Sequence, residues 1–357
     1  MRLDRLWLTD FRNYTSAELS PAPTGLTVVV GANGEGKTNL LEAIGYLATL
    51  SSFRGAPGEA LVRHGCSQAV VRAEGDRDGR SLLLEAELHV AGRDRVLVNR
   101  QPLKRARDLL GALRVSVFAP DDLALVKGGP AERRGYLDDT LVALHPRHDA
   151  LRADVERILR QRGALLRQAG GRLTQEVVTT LDVWDAKLAA AGTALAVARE
   201  ELVARIEPLV AKAYDQVAHA PSDVSLRVQR SWDGLLDEAL AAARADDVRR
   251  GVTTVGPHRD ELSLAIGGLP ARTHASQGEQ RSLALALRLA AHEAVTEATG
   301  SAPVLLLDDV FSELDPERSE ALVAHLPAGQ AVLTTAGELP PGAVAAATVR
   351  VAGGRFL

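Results

Sequence analysis

Residues 31–38 read Gly31-Ala32-Asn33-Gly34-Glu35-Gly36-Lys37-Thr38, a G-x-x-x-x-G-K-[ST] phosphate loop. The β-branched apolar run Leu26-Thr-Val-Val-Val30 precedes it, and Leu40-Leu-Glu-Ala-Ile44, with helical spacing, follows. The local order is therefore strand, loop, helix. Glycines let successive backbone N–H groups turn inward on phosphates without Cβ clashes, and a helix beginning near Lys37 adds its positive dipole end. In that frame Lys37 reaches the β and γ phosphates of ATP, a catalytic as well as a binding role, and the Thr38 hydroxyl ligates Mg²⁺. A Gly-rich turn matches this pattern by chance on the order of once in a hundred chains of such length. The flanking strand and helix remove most of those matches.

A second stretch agrees with the first. Val304-Leu-Leu-Leu-Asp308-Asp309 reads as a fully buried parallel strand ending in two carboxylates, the Walker B pattern. Asp308 is expected to hold Mg²⁺ through water, and Asp309 to orient or deprotonate the attacking water. Between the two motifs, Ser276-Gln277-Gly278-Glu279 precedes a helix striped by Leu283, Leu287, Ala290 and Ala291. Ser276 stands where an N-cap belongs, with its hydroxyl and the following amides at the positive helix end.

The chain has 357 residues, length for about two domains, and its 46% hydrophobic and 25% charged residues suit a soluble globular protein. A single cysteine, Cys66, excludes an internal disulfide or a cysteine-rich zinc site and is expected to be a small buried apolar residue. The opening MRLDRLWLTDFRNY carries charges throughout, and no apolar run approaches about 18 residues, so a cytoplasmic location is expected. With 42 Lys and Arg against 46 Asp and Glu, the net charge is -4, and any anionic polymer must be met by a local patch. The densest basic cluster is Arg93, Arg95, Arg100, Lys104, Arg105, Arg107 and Arg114, which is either a solvated surface or a set of DNA-phosphate contacts.

Along the chain, the segment from Leu3 to Tyr14 reads as an extended edge. Short strands are expected at Ala69 to Ala73, Ser81 to Val90, Arg95 to Val98 and Val115 to Phe118. From Gly128 the period turns helical: one apolar series runs through Leu151, Val155, Ile158 and Leu165, breaks at Gly170-Gly171, and returns from Val177 to Leu202 until Pro208 kinks or ends it. The two series predict an antiparallel hairpin with arms of roughly 35 to 50 Å. Arg152, Arg157, Arg160, Arg162 and Arg167 are expected off its packed stripe. A strand Val224 to Val228, a helix near 233 to 247, a hairpin turning at Gly267-Gly268, a strand Gln330 to Thr335 and a closing hairpin Thr348 to Leu357 complete the reading. His258 is expected to be a hydrogen-bonded loop histidine. The fold class is α/β, a P-loop head of residues 1–127 and 252–357 with a mainly helical insertion over 128–251.

This order of motifs, followed by Ser312-Glu-Leu-Asp315, resembles ATP-binding-cassette ATPases of the chromosome-maintenance and double-strand-break-repair type. Asp10-Phe-Arg-Asn-Tyr14, the run Phe118 to Gly128, Arg133-Arg134-Gly-Tyr-Leu-Asp138, Gly256-Pro-His-Arg259 and Leu306-Leu-Asp-Asp309 narrow the resemblance to the recombination mediator ATPases. It implies an ATP-dependent homodimer with two nucleotides sandwiched between protomers, each phosphate loop facing the partner subunit's copy of the Ser-Gln-Gly-Glu segment. It also implies a weak, DNA-stimulated ATPase that binds duplex DNA and single/double-strand junctions and, with RecR and RecO, loads RecA at gaps. Three departures argue for slow hydrolysis: Asp309 stands where many cassette enzymes have Glu, Thr334-Thr335 where a switch histidine would follow the next strand, and Pro120-Asp121 where a glutamine loop would end Val115 to Phe118. A transporter's nucleotide-binding subunit and a chromosome-bridging ATPase are the competing readings. The first lacks a membrane span and the second lacks long arms.

Overall fold

The computed structural model describes residues 1–77, 79–218 and 222–356. The chain opens on β1 (Arg2–Phe11), which turns back as β2 (Tyr14–Leu19). After β3 (Gly25–Val30) comes the phosphate loop and α1 (Lys37–Thr49). An antiparallel run follows: β4 (Gln68–Arg77), β5 (Arg80–His89), β6 (Arg95–Val98) and the two-residue β7 (Gln101–Pro102). They assemble in the order β2-β1-β4-β5-β6-β7. The opening segment is thus extended but not an edge: β1 bonds to β2 on one side and β4 on the other, so both its ladders are satisfied and Leu6, Leu8 and Phe11 reach the core. Cys66 is half-buried rather than buried.

β8 (Val115–Phe118) joins a second sheet. The chain then builds α2 (Ala124–Lys127), α3 (Pro130–Leu144), α4 (Arg147–Ala169), α5 (Gln175–Ala218), β9 (Val224–Gln229), α6 (Leu236–Arg250), β10 (Glu261–Ile266), β11 (Leu269–Pro270) and α7 (Ala271–His274). The sequence returns with α8 (Gln277–Thr299), β12 (Val304–Asp308), α9 (Pro316–Ala324), β13 (Gln330–Thr335), β14 (Ala345–Ala352) and β15 (Arg355–Phe356). Leu357, the expected end of the closing hairpin, lies outside the described residues. The second sheet runs β15-β14-β3-β13-β12-β8, parallel from β14 to β8. Its central strands β3, β13 and β12 are almost wholly buried, which is why they read as continuous apolar runs.

Two compact units result. One comprises Met1–Leu123, Leu209–Ser222 and Ser276–Leu357, the other Ala124–Pro208 and Asp223–Ala275. The expected boundaries shift accordingly. The hairpin of β10 and β11 belongs with the helical unit because β10 pairs with β9 from Glu261 to Ile266. Pro208 does not end its helix: α5 runs on to Ala218, keeping Ile206, Val210, Ala213, Tyr214 and Val217 buried across the proline. At 44 residues it is about 66 Å long, beyond the expected arm, whereas the 23 residues of α4 give about 35 Å.

Within the helical unit the expected exposure of Arg162 is wrong. It is fully buried, with Nε 2.7 Å from Asp185 and Nη1 2.6 Å from Asp247, both buried. A buried guanidinium is tolerated because two carboxylates and the Thr253 hydroxyl, 2.9 Å away, replace its water. Arg152, Arg157 and Arg160 each pair with an acidic neighbour. The motif at 133–138 is tied to the one at 256–259 and the strand just after it: Arg133 grips Glu261 through two bonds, and Arg199 grips Asp138 the same way and donates to the Pro257 carbonyl. His258 lies 3.1 Å from the Thr253 carbonyl, and burial pushes its pKa down to about 4, as suits a structural loop histidine. Among the described residues no helix is long and apolar enough to cross a membrane.

Candidate functional site

The phosphate loop hangs between the end of β3 and the start of α1, and four of its residues are fixed by distant parts of the first unit. Gly36 is the N-cap of α1 at φ 108°, a left-handed conformation that disfavours any side chain. Asn13, in the turn between β1 and β2, donates its amide to the Glu35 carbonyl at 2.9 Å, and Tyr14 donates its hydroxyl to the Gly36 carbonyl at 3.0 Å. From the other side, the Gly353 amide donates to the Glu35 carboxylate, and a Cβ on Gly31 would stand 2.5 Å from the Val351 carbonyl. Phe356 packs on Tyr14 at a ring separation of 6.2 Å. The β1–β2 turn and the β14–β15 turn thus clasp the loop between them.

Lys37 is buried, its ammonium donating to the carbonyls of Gly31 at 2.8 Å and Ala32 at 2.9 Å. Two of its three N–H groups are so used, and the third suits a phosphate oxygen. The Thr38 hydroxyl donates to Asp308 Oδ1 at 2.8 Å across 270 residues of sequence. Thr334 donates to the same oxygen at 2.7 Å, and the Asp309 amide donates to the Thr334 hydroxyl at 3.1 Å. Burial raises the Asp308 carboxyl above the usual range, with the bonds from Thr334 and Thr38 pulling the other way. A buried carboxylate beside a hydroxyl, both hard oxygen donors, fits a cation such as Mg²⁺, whose charge would supply what two neutral hydroxyls do not. Asp309 follows in a left-handed conformation, φ 47°, which turns it away from the strand direction of Asp308.

Ser276 caps α8 as the sequence predicts. Its hydroxyl accepts from the Glu279 amide at 3.3 Å, while its own amide donates to the Glu279 carboxylate at 2.6 Å, a reciprocal capping box. Those bonds hold the Glu279 carboxyl below the usual range. Arg93, Arg95, Arg100, Lys104, Arg105 and Arg107, around β6 and β7 of the antiparallel sheet, are exposed, whereas Arg114 is half-buried and leads into β8 of the second sheet. Arg95 pairs with Glu87 at 3.2 Å and Arg105 with Asp108 at 3.0 Å, so part of its charge is already offset.

Several residues of the site carry no motif in the sequence. Asn13 and Tyr14 were visible only as part of a family stretch. Asn39 links Asn13 to Arg54, whose charge also lowers the Asp308 carboxyl's affinity for a proton. Where a glutamine loop would stand, Asp122 rather than Asp121 is held, accepting from the Ala119 amide at 2.9 Å and from Arg288 at 2.6 Å. Arg288 lies about 18 Å along α8 from the Ser276 cap, at a position periodicity alone would assign to solvent.

A parallel sheet carrying a phosphate loop, Walker B and a Ser-x-Gly-Glu helix cap beside an antiparallel sheet defines an ABC-type ATPase head. The chain belongs to the RecF/RecN/SMC N-terminal domain family, whose model matches residues 2–334. Within it the likeness is to RecF. The DNA replication and repair protein RecF of Streptomyces avermitilis is 46% identical over 352 residues, 94% of this chain and 93% of that one, and its namesake from Frankia alni is 47% identical over 354 residues with the same coverage. A solved structure of the recombination mediator protein RecF with ATP, in the RecFOR pathway, superposes with a TM-score of 0.91 at 27% identity, covering 100% of this chain and 97% of that one.

Proposed function

We propose that this chain is an ATPase of DNA replication and recombinational repair: ATP closes two copies into a clamp on DNA, and slow hydrolysis reopens it. The observation that carries the reading is the hydrogen bond between Thr38 and Asp308, which joins phosphate loop and Walker B into one metal-and-phosphate site. The ATP-bound relative supports the nucleotide. In this site Gly31 to Thr38 wrap the phosphates, Lys37 neutralises β and γ oxygens, and Thr38 and Asp308 hold Mg²⁺, which offsets phosphate charge when bound. Asp309 aligns the attacking water. Thr334, its hydroxyl spent on Asp308, cannot serve as a base, and hydrolysis is slow for that reason. Ser276, Gln277, Gly278 and Glu279 complete the partner's site in trans, the cap amides facing its γ-phosphate.

DNA contact falls to the cluster from Arg93 to Arg114, doubled in a dimer, with recognition by shape rather than by bases. Junctions at single-strand gaps are the expected target, with RecR and RecO as partners and RecA loading as the outcome. The test is binding to gapped, duplex and single-stranded DNA with and without ATP, with oligomeric state followed by sedimentation. Tighter, more salt-sensitive binding with ATP, alongside dimer formation, is expected, each neutralised phosphate adding about 0.9 to the slope of log affinity against log salt on duplex. Equal binding with and without ATP, or a monomer at saturating ATP, overturns it.

A further inference from the structure

Gly278, in the Ser-Gln-Gly-Glu segment, has ordinary surroundings for a helix except on one side. A Cβ built there would stand 2.8 Å from a terminal guanidinium nitrogen of Arg318 and 3.0 Å from its central carbon. A side chain here would push the guanidinium aside, so glycine leaves room for the arginine to lie against it. That arginine lies in the first turn of α9, three residues beyond Asp315, the last residue of Ser312-Glu-Leu-Asp315 and the N-cap of that helix. It is held from two directions: Nε donates to the Ser282 hydroxyl at 3.1 Å, one turn along α8, and Nη1 pairs with Asp315. Asp315 in turn caps α9 by accepting the Arg318 amide at 2.9 Å, which holds its carboxyl below the usual range.

The placement runs against elementary electrostatics. The first turn of a helix carries the positive end of the macrodipole, where an anion is stabilising and a cation is not, by about 0.3–1 kcal/mol for exposed groups. Asp315, paired with Arg318, and the nearby Glu279 offset this, and both lie on the protein side of the guanidinium. Arg318 also keeps about a quarter of its side chain exposed. A fixed, partly exposed cation on the positive end of a helix is an arrangement that a further anion completes.

We propose that Arg318 is a phosphate-contacting residue of the composite nucleotide site: its guanidinium, held ready by Asp315 and laid on Gly278, supplies in trans the charge that meets the partner-bound γ-phosphate. This rests on the reading of the Ser276 segment as the trans half of the site. It gives the Asp315 motif a physical task as the counter-ion that keeps the guanidinium in place, and it makes Gly278 a seat for Arg318 rather than merely a point of close phosphate approach.

The test uses the full chain and four variants: Arg318→Gln, Arg318→Lys, Gly278→Ala and the double variant Gly278→Ala with Arg318→Gln. ATP affinity of the single protomer, read with a fluorescent ATP analogue, stays at the wild-type value in all four. The ATP-dependent dimer weakens about tenfold or more in Arg318→Gln, as the loss of a charge-assisted bond on each of two sites requires. Its dependence on salt flattens, and Arg318→Lys recovers part of both. A purely structural role would lower thermal stability without changing the salt slope. Gly278→Ala displaces the guanidinium, so the double variant is little worse than either single one. Wild-type dimerisation in Arg318→Gln, an unchanged salt slope, or strictly additive losses in the double variant overturns the proposal. Ser276→Arg is the control for the underlying reading: if it dimerises normally with ATP, the trans assignment itself has failed, whatever Arg318 does.

Discussion

The two halves of the proposed nucleotide site are built to different standards. The phosphate loop is clasped by the β1–β2 turn and the β14–β15 turn, its lysine is buried, and its threonine is bonded to Walker B. The Ser276 segment is a helix end held by its own capping box and by one arginine from α9, with Ser276, Gln277 and Glu279 open to solvent or nearly so. The difference separates binding from sensing. A preorganised loop can take a nucleotide alone at little cost in ordering, whereas an exposed cap gains something only when a partner brings phosphate to it.

The sharpest way to break that comparison is Lys37→Met. Removing a buried ammonium whose one remaining N–H suits a phosphate oxygen should weaken ATP binding about tenfold to a hundredfold, at ~1.5–3 kcal/mol for the charged hydrogen bond lost, and with it every ATP-dependent dimer. Equilibrium binding of labelled ATP measures it; a variant that binds normally would move the phosphate elsewhere. Asp309→Asn should part company with it, keeping nucleotide while the closed dimer accumulates on DNA. If both variants simply release DNA, the role given to Asp309 is wrong.

A smaller effect sharpens the contrast between the halves. Gly31→Ala forces a Cβ against the Val351 carbonyl, backbone that cannot swing aside, and should cost about tenfold in ATP affinity, in the range of a typical overpacking penalty. Gly34→Ala meets nothing within 4 Å and carries only the strain of φ 86°, about 1 kcal/mol or a severalfold loss. Ser276→Arg should leave ATP affinity within about twofold, as for a surface change remote from the loop, while abolishing the dimer. A loss of binding in Ser276→Arg would put the cap in the same site as the loop.

The smallest effect is in the nucleotide-free protein. Because burial raises the Asp308 carboxyl, its stability contribution is present while the group is protonated and is lost as pH rises through the folded pKa. At neutral pH Asp308→Asn should therefore melt a few degrees above wild type without ligand, and the wild-type fall in stability across the acid range should be blunted. With Mg²⁺ and ATP the order should reverse, since the variant loses a ligand gain of about 2.7 kcal/mol at a hundredfold excess over Kd. Thermal melts across pH with and without ligand decide it.

How much of this was legible follows from range. The phosphate loop, Walker B and the Ser276 cap are local patterns, and the strands β6 and β8 and the helix α1 fall within a residue of their reading. What escaped was set by partners far away. Nothing near Gly31 announces Val351, nothing near Gly278 announces Arg318, and the burial of Arg162 depends on Asp185 and Asp247 from two other helices. The fate of Pro208 is of the same kind: one lost N–H bond in α5 is outweighed by an apolar stripe that resumes beyond it. The family-bearing stretches at 133–138 and 256–259 pointed to identity, and their residues brace one unit, through Arg133 on Glu261 and Arg199 on Asp138 and the Pro257 carbonyl.

The clasp on the phosphate loop has a consequence during synthesis. Gly353 is translated 318 residues after Glu35, so at about 5–20 residues per second the loop waits roughly a quarter of a minute to a minute for its second support. A nascent or prematurely released chain carries the whole G-x-x-x-x-G-K-T sequence with only the β1–β2 turn against it. Such a fragment holds the loop from one side alone, through Asn13 and Tyr14, and lacks the bond from Gly353 to Glu35.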